Sequence, residues 1–281
     1  MDQQQAATQR QRVAEVFDRV VSTYDAVDVP FFTPIAERLV QELDAQPGER
    51  ALDIGCGRGA ALFPLAAAVG PAGHVTGVDL SAQMVVSTRT EAGLRGLKNV
   101  ELAVMDAAAP TLSAGVFDVA ASSLVLFFLP DPLSALQEWR TLLVTGGRLG
   151  ISTFGSRDPR WVAVDDVFRP FLPPQLLDPR TRGETGPFAS DVGVASLFAD
   201  AGFTDVRTVN FALDVRFVDE EQWREWSWSH GQRVMWESVP TADHDAVRAT
   251  AYAILGEGRA PDGSITLSQQ VRLTIADNGA G

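Results

Sequence analysis

Asp53, Gly55, Cys56, Gly57 and Gly59 fall in one short run, Leu52-Asp-Ile-Gly-Cys-Gly-Arg-Gly59, which opens as an apolar strand and leads into the helix-forming Ala60-Ala-Leu-Phe-Pro-Leu-Ala-Ala-Ala68. A strand that turns through glycine into a helix brings backbone N–H groups and the positive helix end close to a ligand. Two kinds of ligand suit such a loop. A dinucleotide would rest its pyrophosphate there, and Gly55, Gly57 and Ala60 satisfy that spacing. The Asp53 carboxylate would repel a pyrophosphate and attract a cation. The loop therefore reads better for a cationic cofactor. Two more acids end apolar stretches further on: Asp79 in Gly77-Val-Asp-Leu-Ser81 and Asp106 in Val104-Met-Asp-Ala107.

With Phe117-Asp-Val-Ala-Ala-Ser-Ser-Leu-Val-Leu-Phe-Phe-Leu-Pro-Asp131, these stretches make four motifs in fixed order between Glu49 and Thr153. In that order they resemble class I S-adenosylmethionine-dependent methyltransferases, in particular the quinone and natural-product C-methyltransferase branch. The resemblance implies an α/β fold, a Rossmann-like doubly wound sheet of seven strands, mostly parallel with an antiparallel last strand, plus helical cap insertions. It implies S-adenosyl-L-methionine as cofactor, held by Asp53, Gly55, Cys56 and Gly57. Asp79 would accept hydrogen bonds from the ribose hydroxyls. Asp106 would take the adenine amino group, with Ala107 offering a backbone contact. Leu80 and Met84 either sandwich the adenine or belong to the core. A backbone carbonyl near Ser122 would face the ammonium group. Tyr24 either covers the methionine end or anchors an N-terminal arm.

The chain departs from the family in one respect. Many small-molecule relatives carry histidine where Phe127 and Phe128 stand, and the Asn/Asp-Pro-Pro-aromatic run of nucleic-acid amine methyltransferases is absent. The usual position for a general base is empty. An electron-rich carbon, which needs little deprotonation, is then the favoured acceptor over oxygen or nitrogen.

The elements that must position these residues follow from periodicity. Residues 1–45 read as a helical arm or cap, with Val13, Val16, Phe17 and Val20 on one helical face. Residues 46–153 read as the cofactor core, with the last of its strands at Arg148–Thr153 after a helix stopped by Gly146 and Gly147. Residues 154–190 form a proline-broken insertion, and residues 191–281 complete the core around a helical lid at 219–263. That lid holds Trp223, Trp226, Trp228, Trp236 and His230. Phe31, Phe128, Trp223 and Trp226 are the candidate substrate-binding residues, with packing as the alternative for each. His230 is the candidate catalytic acid or base, and otherwise a helix cap.

A formal charge of −13 argues against nucleic acid and anionic membrane surfaces as partners. One cysteine and three histidines leave no dedicated metal site, and no apolar run is long enough to span a membrane. A cytoplasmic enzyme acting on a small molecule is expected, with the arm available for pairing with a second copy. Neither Tyr24 nor Tyr252 is followed by a lysine four residues on. A NAD(P)-dependent oxidoreductase is thus the weaker alternative, beside a protein that binds S-adenosylmethionine without methyl transfer, as a cyclase or regulator.

Overall fold

The computed structural model describes residues 14–24, 27–173 and 185–279. A seven-stranded sheet runs through the molecule in the order β3-β2-β1-β4-β5-β7-β6. Its strands are β1 (Arg50–Ile54), β2 (His74–Asp79), β3 (Val100–Val104), β4 (Phe117–Ser123), β5 (Leu143–Arg157), β6 (Thr204–Phe217) and β7 (Ile265–Asp277). The first five are parallel, whereas β7 lies antiparallel to both β5 and β6. Four of the five residues of β1 are buried, as are Val119, Ala120, Ala121 and Ser122 in succession along β4. Burial of consecutive residues, which point to opposite faces, marks strands covered by helices on both sides.

The helices follow the strands: α1 (residues 14–20), α2 (Phe32–Leu43), α3 (Leu62–Val69), α4 (Ala82–Leu94), α5 (Pro132–Leu142), α6 (Pro159–Phe168) and α7 (Asp191–Asp200). Between β6 and β7 come α8 (Glu220–Ser229), α9 (Arg233–Glu237) and α10 (His244–Gly256). The buried positions of α2, Ile35, Ala36, Leu39, Val40 and Leu43, lie three or four residues apart on one stripe. That stripe seats on β5, where a side chain at Gly150 would come within 3.0 Å of Leu39 and Leu43.

Several boundaries differ from the sequence expectation. Strand β5 begins at Leu143 and continues to Arg157, so Gly146 and Gly147 sit inside it. Gly146 has φ +78 and its N–H donates to the Asn278 carbonyl at 2.7 Å, while the Asn278 N–H returns to Gly147 at 2.7 Å. The glycines thus form a bend held against the end of β7. Pro159 starts a helix instead of breaking one: it occupies the first turn of α6, where a missing N–H costs nothing, and Asp158 caps that turn. Strand β6 runs to Phe217, so the lid follows it directly. Of the expected arm, residues 1–13 lie outside the described part, as do Pro174 and Pro179. No helix among the described residues is long and apolar enough to cross a membrane.

Candidate functional site

The C-terminal ends of β1, β2 and β4 meet at the glycine loop. The Gly55 and Cys56 N–H groups both donate to the Val78 carbonyl, at 2.8 and 2.9 Å, which ties the loop to β2. Gly57 then donates to Asp79 Oδ2 at 2.8 Å, and Ser81 donates to Oδ1 at 2.8 Å. Ser81 also caps α4 by accepting from Met84 N at 3.0 Å. Gly55 is required here on two counts: its φ is +77, and a Cβ would lie 2.4 Å from Val125 Cγ2. Cys56 serves through its backbone alone. Its thiol is buried on the core side against Gly77, and burial pushes its pKa well above the usual value.

Two carboxyls meet this loop, Asp53 buried and Asp79 half-buried. Burial and then the charge of Asp79 push Asp53 up to about 8, against the opposing Leu62 N–H. Its Oδ2 has no hydrogen-bond partner among the described residues. Burial raises Asp79 as well, with Asp18 adding to the shift and the Ser81, Gly57 and Leu80 N–H groups opposing it. An orphaned carboxylate oxygen, a second, half-buried acid and an open loop glycine, Gly57, fit a ligand that brings positive charge and hydroxyl groups. S-adenosylmethionine has both: Asp53 would face its ammonium end and Asp79 its ribose.

At the adenine end, Asp106 Oδ1 accepts from Ala108 N at 2.9 Å. The Ala107 carbonyl accepts from the Trp139 indole at 2.7 Å, which fixes Ala107 to the core. Leu80 is half-buried at the site, but Met84 is buried in the core. Ser122 is also interior. It pairs with Ile151 and donates to the Ile54 carbonyl at 3.0 Å, so the chain leaves the strand only at Leu124. Leu124 has φ +61, rare for a non-glycine residue, and its N–H donates to Ser152 Oγ at 3.0 Å. This turn presses Val125 onto Gly55.

Beside the loop lies a circuit of aromatic rings. Phe128, Phe17, Tyr24, Phe32, Phe31, Phe154 and Phe127 touch in that order and close on Phe128, with centroids 4.7 to 6.4 Å apart. The circuit draws on α1, the start of α2, the turn after β4 and the end of β5. Phe128 is 39% exposed, whereas Phe31 and Phe127 are buried. Trp226 backs Phe31 at 5.3 Å. Trp223, three residues earlier, is buried against Trp236 and Tyr252 inside the lid and lies outside the circuit.

His230 ends α8 and lies against Trp226 at 4.3 Å and Phe32 at 5.5 Å. Its Nδ1 accepts from Gln232 N at 3.4 Å. Burial drives its pKa down to about 3, which leaves the imidazole neutral across physiological pH. Among the described residues, no cluster of His, Cys, Asp or Glu could hold a metal ion.

Helix α1 joins the loop to the lid. Ser81 Oγ donates to Asp18 Oδ1, and Arg58 Nη1 donates to the Val21 carbonyl at 2.8 Å. On the other side, Thr23 Oγ1 donates to the Ser229 carbonyl at 3.3 Å and Arg19 pairs with Glu237 at 3.3 Å. The described part of the arm therefore packs on its own chain. Phe17, Asp18, Arg58, Leu124 and Phe154 escape the sequence reading; only Phe17 carries a local signal, as a member of an apolar helical stripe.

A family model described as a methyltransferase domain matches residues 45–169. Nocamycin O-methyltransferase of Saccharothrix syringae is 38% identical over 269 residues, covering 91% of this chain and 95% of that protein. Aklanonic acid methyltransferase DauC of Streptomyces sp. (strain C5) is 41% identical over 174 residues, covering 62% of this chain and 79% of the relative. Among solved structures, a SAM-dependent methyltransferase from Aquifex aeolicus aligns with a TM-score of 0.51 at 24% identity, over 69% of this chain and 92% of that one.

Proposed function

The chain belongs to the S-adenosylmethionine-dependent methyltransferases, and from that premise we propose that it methylates an acidic oxygen, a carboxylate or acidic enol, on a flat and largely apolar natural product or quinone-like metabolite. Membership in this family overturns the nicotinamide alternative. The observation that carries the reading is the aromatic circuit, whose one ionisable neighbour in the lid, His230, is held neutral at about pKa 3. Such walls take a planar apolar ligand and exclude water. Among the described residues they supply no group to deprotonate an alcohol or a phenol of ordinary pKa.

An acid with a pKa near that of a carboxyl side chain is already ionised at neutral pH and needs no base. When bound, S-adenosylmethionine supplies the sulfonium methyl group. The residues of this chain would then contribute alignment: Asp53, Asp79 and the glycine loop on the cofactor side, the ring circuit on the acceptor side. The absence of a base suits an enol carbon equally, which is why the sequence favours carbon. Two considerations weigh toward oxygen: one relative is named for O-methyl transfer and another for an acid as its substrate.

The test is release of S-adenosylhomocysteine in the presence of matched acceptors. Aromatic polyketide acids should support turnover and their methyl esters should not. Equal turnover with acid and ester would remove the acidic oxygen from the reaction, and no turnover across a broad panel would favour a binder without methyl transfer.

A further inference from the structure

His230 and Trp161 each carry a buried ring nitrogen, Nε2 and Nε1, with no hydrogen-bond partner among the described residues. His230 is 6% exposed and Trp161 3%. Both rings pack edge-on against Trp226, at 4.3 and 5.6 Å. Each also touches one member of the Phe31–Phe32 pair: Trp161 lies 6.0 Å from Phe31 and His230 lies 5.5 Å from Phe32. The two orphaned nitrogens thus belong to one aromatic cluster, continuous with the circuit beside the glycine loop. Trp223 Nε1 is orphaned too, but it sits within the lid against Trp236 and Tyr252.

The tautomer of His230 follows from the ring's one hydrogen bond among the described residues. Gln232 N–H donates to Nδ1, so Nδ1 is the bare nitrogen and the proton of the neutral ring is on Nε2. The indole nitrogen of Trp161 is a donor in any case. Two N–H donors therefore stand among aromatic rings with no acceptor among the described residues. A buried donor left unsatisfied is costly, and a pair of them continuous with the aromatic circuit would be satisfied by an acceptor that arrives with a ligand.

We propose that His230 Nε2–H and Trp161 Nε1–H form a substrate-recognition subsite, donating hydrogen bonds to carbonyl or enolate oxygen on the ring body of the substrate, apart from the oxygen that is methylated. This rests on the reading of the substrate as a flat aromatic acid and narrows it to oxygenated, quinone-like rings. His230 is on this account a specificity residue whose proton is donated and never transferred. A site built this way rejects an analogue that lacks the ring oxygen, because its donors then stay unpaired.

The experiment is calorimetric titration of the S-adenosylhomocysteine-loaded protein with two probes, 1,8-dihydroxyanthraquinone-3-carboxylate and anthracene-2-carboxylate. Both have three fused rings and a carboxylate; only the first has ring oxygens. The quinone acid should bind the native protein about tenfold more tightly. His230→Phe and Trp161→Phe should each weaken the quinone acid about five- to tenfold and leave the anthracene acid unchanged. His230→Gln, which keeps an N–H within the reach of Nε2, should recover most of the loss. Equal affinity for the two probes, or equal weakening of both in the Phe variants, would overturn the subsite and assign the two rings to packing or a buried water. Failure of both probes to bind the native protein would overturn the aromatic-acid reading itself, and the subsite with it.

Discussion

The carboxylate of Asp18 accepts a hydrogen bond from the hydroxyl of Ser81, the residue whose backbone N–H holds Asp79 and whose side chain caps α4. The first described helix is thereby latched to the turn that carries Asp79. The latch brings two carboxylates together, and the charge of Asp18 adds to the upward shift of Asp79. Asp18→Ala should leave the Ser81 cap on Met84 in place while freeing α1. S-adenosylhomocysteine should then dissociate about fivefold faster in a stopped-flow displacement experiment. An unchanged rate would mean that α1 does not retain the cofactor.

If Asp53 faces the cofactor's ammonium group as proposed, cofactor binding is coupled to pH. Folded, its carboxyl keeps the proton up to about pH 8, mainly through burial; unfolded, it releases it near 3.8. The folded state binds the extra proton between those values. Its contribution to stability is present below about pH 4 and is lost as pH rises through about 8. A cationic ligand favours the ionised form, so affinity for S-adenosylmethionine should strengthen from pH 6 to pH 8 and level off above. Calorimetry across that range should show proton release on binding, and Asp53→Asn should flatten the dependence. A native profile as flat as that of the variant would show that Asp53 is not the group that ionises.

Gly55 is constrained by φ and by Val125 together. Gly55→Ala should cost about 2–5 kcal/mol, from the left-handed backbone plus the overlap with Val125 Cγ2. Val125→Ala in the same chain should recover the steric part and leave the backbone part. Denaturant midpoints of the single and double variants separate the two, and no recovery would mean that the loop does not approach the turn after β4 as closely as described.

His230 should leave no trace in the rate profile but a clear one in stability. No limb should appear in kcat near the ordinary imidazole value of about 6.5. The folded pKa of about 3 lies below the unfolded value, so the unfolded chain binds the extra proton between them. Stability contributed by the neutral ring is therefore lost as pH falls below about 6.5. Thermal midpoints of the native protein should drop from pH 7 to pH 5 more than those of His230→Phe. A kcat limb near 6.5 that vanishes in His230→Phe would restore the general-base assignment.

The cofactor end was the legible part of this chain, because its features are local. Gly55 must be glycine for its own φ, and Asp53 and Asp79 stand where an apolar strand stops. The same locality misled at Pro159 and Gly146, where a breaker residue occupies the first turn of a helix and a bend within a strand. The acceptor end is built from rings far apart in sequence. Phe17 meets Phe128, and Phe31 meets Phe154, through the tertiary fold alone. Trp223 and Trp226 look alike on one helix, yet one faces the lid interior and the other the circuit. For His230, residue type suggests a base, whereas its burial, which no local pattern displays, keeps the ring neutral.

The most direct test follows the methyl group. The native protein is given S-adenosylmethionine labelled with carbon-13 in its methyl, together with 1,8-dihydroxyanthraquinone-3-carboxylate, and the product is analysed by carbon NMR. The account predicts a single labelled signal in the methoxyl region, lost on mild ester hydrolysis. A labelled methyl bonded to ring carbon would contradict it and return the acceptor to carbon.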